Sequence, residues 1–155
     1  MDALTAVHVL ISLIGIAAGF YVINGMRNAQ RLEGAAKIFL AFTVATSVTG
    51  FFFPIHNITP GIVVGILSLL ILAITYYALY SRRLSGGWRT AYVVTAVIAQ
   101  YFNVFVLVVQ SFQKVPALHE LAPTQSEPPF GIAQGVVLIG FIALGFAANR
   151  GFRKA

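Results

Sequence analysis

The chain has 155 residues, 59% hydrophobic and only 9% charged, with a mean hydropathy of +0.88. That leaves too little polar surface to enclose a water-soluble core, so the composition places the chain in lipid and leaves no room for a separate soluble domain. The absence of cysteine excludes disulfides, thiolate catalysis and cysteine-ligated clusters, and the net charge of +6 is spread over membrane-edge clusters that form no nucleic-acid recognition element.

Apolar periodicity predicts an all-α, polytopic helical bundle of five transmembrane helices forming a single domain over residues 1–155. The first span is expected over residues 3–26. Asp2 precedes it and Arg27 follows it, the reverse of the charge order of a secretory signal, so it is read as a retained helix. The second span, 37–53, stops at Pro54, and an uncharged turn from Pro54 to Pro60 leads into the third, 61–80, as an antiparallel hairpin. After Ser85-Gly86-Gly87 the fourth span covers 88–112, with Trp88 and Tyr92 placed to anchor at the inner interface. A proline-rich loop over 113–129 is expected to be extended and partly rigid, and the fifth span covers 130–148.

Nine of the ten basic residues fall at three places: Arg27, Arg31 and Lys37; Arg82, Arg83 and Arg89; and Arg150, Arg153 and Lys154. Only Lys114 lies on the other side. The positive-inside rule then puts the N-terminus outside and the C-terminus inside, with the clusters facing anionic headgroups at the inner face. All six prolines fall on the outer side, and none interrupts the centre of a span.

The fourth span carries the clearest polar pattern. Gln100, Asn103, Gln110 and Lys114 recur at i, i+3, i+10 and i+14 and form one stripe along a helix. Amides facing hydrocarbon are costly, so the stripe must meet other helices or a wet cavity. Interhelical hydrogen bonding is the simpler explanation; a ligand pocket or polar path is the functional one. Thr46 and Thr49 on the second span, continuing towards Phe53 and His56, and Gln134 on the fifth are the proposed partners, giving a small neutral cavity among spans two, four and five.

Three spans carry glycines four apart, Gly15 and Gly19, Gly61 and Gly65, and Gly131 and Gly135, which favour close helix packing within the chain or at a homo-oligomer seam. The histidines lie on the outer half. His8, His56, His119 and Glu120, with Asp2 and Glu127, offer donors for a divalent metal, but no spacing motif joins them. His8 and His56 alternatively suit the axial positions of a b-type haem, with Gly15 leaving space beside the ring.

The stretch from Tyr101 to Leu118, the loop from Leu121 to Phe130 and the turn Phe53-Pro-Ile-His-Asn-Ile-Thr-Pro60 resemble a group of small bacterial inner-membrane proteins with no assigned activity. The resemblance implies a multi-pass protein of the bacterial inner membrane and brings no site residues with it. Three functional classes follow. The leading one is a noncatalytic accessory, assembly or self-associating component, alone or with a membrane partner subunit, needing neither cofactor nor enzymatic residues. The second is a small-molecule transporter or channel using the fourth-span stripe, and the third a haem- or metal-binding redox protein using the outer histidines.

Overall fold

A computed structural model describes residues 1–155, all helix and connection with no strand. The helices are α1 (Ala3–Arg27), α2 (Glu33–Gly50), α3 (Pro60–Tyr76), α4 (Trp88–Lys114), α5 (Pro116–Leu121) and α6 (Pro128–Phe152); α3 runs on into a π-helical turn over Tyr77–Ser81. Each start follows from local chemistry. The Asp2 carboxylate caps α1 by accepting from the Thr5 N–H at 2.7 Å, and this bond, with help from the Thr5 hydroxyl, holds Asp2 below the usual carboxylate range. Thr59 caps α3 ahead of Pro60, while α6 opens on Pro128 and Pro129, whose missing N–H groups need no partner in a first turn. Just before α6, Glu127 turns back on Thr124, whose hydroxyl and N–H hold that carboxyl below its ordinary range as well.

Four helices are long and apolar enough to cross a membrane: α1, α3 with its π turn, α4 and α6. The fifth expected span, α2, is not among them. Its 18 residues reach about 27 Å at 1.5 Å per residue, and Glu33 and Lys37 fall within it. Only 27 of the 155 residues are buried, and large apolar side chains such as Leu10, Leu70, Ile139 and Phe146 are exposed along the long helices. A surface of this kind is stable against hydrocarbon and unstable in water.

α1, α3 and α6 run one way and α2 and α4 the other. Two ends result. Asp2, the 51–59 connection and α5 gather at one, here the proline end; nine cationic side chains gather at the other, the basic end. The contacts α1–α2, α2–α3, α3–α4 and α4–α1 close a ring of four helices, and α6 packs outside it against α4 and α1. Small and hydroxylated residues make the close crossings. The Thr75 hydroxyl donates to Thr95 at 2.8 Å between α3 and α4, and Thr95 donates on to the Ala91 carbonyl. At the basic end Gly151 lets α6 lie against the Arg27 backbone of α1, and Arg89 donates to the carbonyls of Phe152 and Arg153, placing a cation on the negative end of the α6 dipole.

Several local expectations change. The 113–129 segment is not extended, because Pro116 opens the short helix α5, and the Gln125 amide ties the loop back to the Val109 carbonyl at 2.9 Å. α2 ends at Gly50, before Pro54, so the face drawn through Thr46 and Thr49 stops short of His56. Tyr92 is no interface anchor: it is 2% exposed and packs on Phe152, whereas Trp88 meets Tyr77 edge-on and lies under the Arg82 guanidinium.

A Cβ at Gly151 would meet the Arg27 carbonyl carbon at 2.6 Å, whereas one at Gly135 would meet nothing within 4 Å. Gly151→Ala is therefore expected to destabilise by about 1–3 kcal/mol through forced displacement of α1. Gly135→Ala should be neutral or stabilise by up to about 1 kcal/mol through helix propensity. Reversible unfolding of both variants in mixed micelles, followed by circular dichroism, checks the contrast.

Candidate functional site

The polar stripe of α4 divides into a closed part and an open part. Gln100 is 0% exposed, near the middle of α4. Its Nε2 donates to the Ile16 carbonyl of α1 at 2.8 Å, and its Oε1 accepts from Asn103 Nδ2 at 3.3 Å. Asn103 also donates to the Thr43 hydroxyl of α2 at 3.2 Å. One connected set of amides thus ties three helices together. It fits because Gly19, opposite on α1, has no side chain: a Cβ there would overlap the Gln100 carboxamide. Below this cluster, towards the basic end, the interior is filled by Val22, Ile23, Met26, Val93 and Ala96, each at most 2% exposed.

Above it, towards the proline end, the four-helix ring opens into a cavity of about 500 Å³. That volume lies within the roughly 300–1,000 Å³ typical of small-molecule sites. Polar walls come from His8 and Ser12 of α1, Thr46 and Ser47 of α2, Ser68 of α3, and Asn103 and Gln110 of α4; apolar walls include Ile16, Val64, Phe102, Val106 and Leu107. No aspartate or glutamate lines it, and the only lining residue with a fixed charge is Lys114, at the end of α4.

The hydroxyls are less polar than their number suggests. Ser12 donates to the His8 carbonyl at 2.6 Å, and Thr46 to Phe42 at 2.7 Å, one turn back along their own helices. Thr49 does the same to Ala45 at 2.7 Å, and its oxygen shares a hydrogen bond of 2.8 Å with His8 Nδ1. Phe53 meets the His8 ring edge-on with centroids 5.2 Å apart, which fixes the imidazole in the wall.

The cavity therefore lies among α1, α2, α3 and α4, not among the second, fourth and last spans. Gln134 faces away from it: its Nε2 donates to the Phe105 carbonyl at 3.1 Å on the α4–α6 side, and its Oε1 is buried with no partner. Gln100 and Asn103 seal the floor, and Gln110 and Lys114 reach the wall and rim. Of the expected metal or haem donors only His8 lines the cavity; His56, His119 and Glu120 are exposed at the proline end, and no three His, Asp or Glu side chains gather to hold a metal. Gly15 and Gly19 sit at close approaches to α2 and α4, Gly65 abuts Phe51, Gly61 meets only its own capping Thr59, and Gly131 and Gly135 meet nothing within 4 Å.

Pattern in the sequence revealed the α4 stripe but not the contribution of α1. Ser12, Ile16 and Gly19 recur at i, i+4 and i+7 on one helix face, a signal that could have marked α1 as the facing wall. No family model matches the chain, and no curated protein or solved structure matches it.

Buried Gln100 and half-buried Gln134 should behave differently. Gln100→Leu removes the bond to Ile16 of α1 and the one accepted from Asn103, and is expected to cost about 1–2 kcal/mol. Gln134→Leu removes one bond together with an already unpartnered oxygen, and should be neutral or stabilising. Unfolding titrations in micelles check the difference, and equal losses at the two positions would contradict it.

Proposed function

We propose that this protein is a noncatalytic, multi-pass component of the bacterial inner membrane that holds a small amphipathic molecule in a cavity in its outer half, closed towards the inner face. The observation that carries the reading is the one-sided cavity: about 500 Å³ above the Gln100–Asn103–Thr43 cluster, a packed interior below. A channel or carrier needs a path leading to the other side, and the stripe ends at an amide engaged with the Ile16 carbonyl. Binding without passage fits this arrangement better.

The membrane placement rests on charge and connectivity. Nine cations at one end favour the cytoplasmic side and its anionic headgroups, with the N-terminus outside and the C-terminus inside. α2 serves as the fifth span: α1 and α3 run in the same direction, so the chain must return between them, and α2 makes that return packed against both. Its charged residues Glu33 and Lys37 are then at the headgroup level of the basic end.

Cavity filling tests the function. Protein purified in mild detergent and extracted into organic solvent is expected to release a stoichiometric amphiphile detectable by mass spectrometry. Ser12→Phe and Ser47→Phe, which project into the cavity from half-buried positions, should reduce it at least about tenfold while leaving the fold intact. The same yield from wild type and both variants would refute the reading.

A further inference from the structure

Four apolar side chains are walls of the cavity and are also exposed: Val9 (38%) and Leu13 (49%) of α1, Leu107 (38%) of α4, and Val115 (44%) just past the end of α4. A wall accessible from both sides marks a gap, and these residues place it at the seam of α1 and α4. The two helices are pinned together at Gly19 and Gln100. α6 covers the seam towards the basic end, through Phe20 against Phe141 and Gly151 against Arg27. It then follows α4 up to the edge-on contact of Phe112 with Phe130, while on α1 Val7, Val9, Leu10 and Leu13 are left exposed in the half nearer the proline end. In a bilayer that side faces acyl chains.

The walls match such an entrant. Ser12 and Thr46 have their hydroxyl hydrogens on carbonyls of their own helices, so the deep surface offers methylenes, aromatic edges and a few lone pairs, and little to hold a fully hydrated solute. At the rim, Lys114 supplies the only fixed charge of the lining, beside Ser111 and Gln110, with no carboxylate opposing it. The combination has a polarity: cationic at the proline end, weakly polar towards Asn103.

Building on the binding role proposed above, we infer that the cavity is loaded sideways from the bilayer, through the α1–α4 seam, and takes the hydrocarbon chain of a single-chain amphiphile whose anionic head sits at Lys114. The head stays at headgroup level, and the chain passes Val9, Leu13 and Leu107 into the ring. An ammonium of this kind favours a carboxylate over an uncharged hydroxyl of the same chain.

A fatty acid carrying a photoreactive diazirine near its chain terminus, and the alcohol with the same chain, test this with the full-length protein in nanodiscs of neutral lipid. Wild type should be labelled on cavity residues of α1 and α4, with the acid favoured about tenfold over the alcohol. Lys114→Gln should bring the two within about twofold. Leu13→Trp, at an exposed position, should slow labelling by both probes without lowering thermal stability. Equal labelling of the wild-type cavity by acid and alcohol would overturn the anionic-head assignment while the cavity remained a binding site, and unchanged labelling in Leu13→Trp would overturn the lateral entry. Labelling confined to outward faces such as that of α6 would overturn both, and the binding role with them.

Discussion

A single buried carboxamide decides how the two halves of this bundle differ. Gln100 can lie inside only because its donor meets the Ile16 carbonyl and its acceptor meets Asn103, and it can come that close to α1 only because residue 19 is glycine. Within a bilayer there is no water to replace those partners, so bond and socket require each other. The crossing fixes α1 against α4 at mid-height. On one side of it the helices pack through Val22, Ile23, Val93 and Ala96; on the other they part and leave a cavity.

The same division appears in the charges. The basic end is crowded with cations and closely packed, with Gly151 seated against Arg27 and Arg89 closing the α6 terminus. The proline end has capped helix starts, a short helix opened by Pro116 and a cavity with one lysine at its rim. Hydroxyls that bond back to their own helices allow serine and threonine to line that cavity without demanding water. Packing is therefore tighter towards one end and looser towards the other.

How much of this was legible in the sequence depends on whether the signal is periodic. The helices and their antiparallel order follow from apolar runs, prolines and charge clusters, and the α4 amide stripe follows from 3.6-residue spacing. What spacing cannot supply is the partner of a face. Gln134 has the same side chain as Gln100 but turns to the α4–α6 side, and nothing in its neighbours in sequence distinguishes the two. The glycine pairs show the same limit: Gly19 receives an amide, whereas Gly131 and Gly135 have the same spacing and face open space. Gly151, which makes the tightest backbone approach, has no glycine four residues away to mark it. The face drawn through Thr46 and Thr49 does not reach His56, because the helix ends at Gly50, ahead of Pro54.

The central claim is that the polar path is closed at Gln100. The chain has no cysteine, so single cysteines introduced along the interior report access without background. With the protein in sealed vesicles of known orientation, a membrane-impermeant thiol reagent should modify Ser47→Cys and Gln110→Cys from the outer side, and should modify Ala96→Cys and Val93→Cys from neither. Reaction of Ala96→Cys from the outer side, or of the cavity positions from the basic end, would contradict a one-sided cavity.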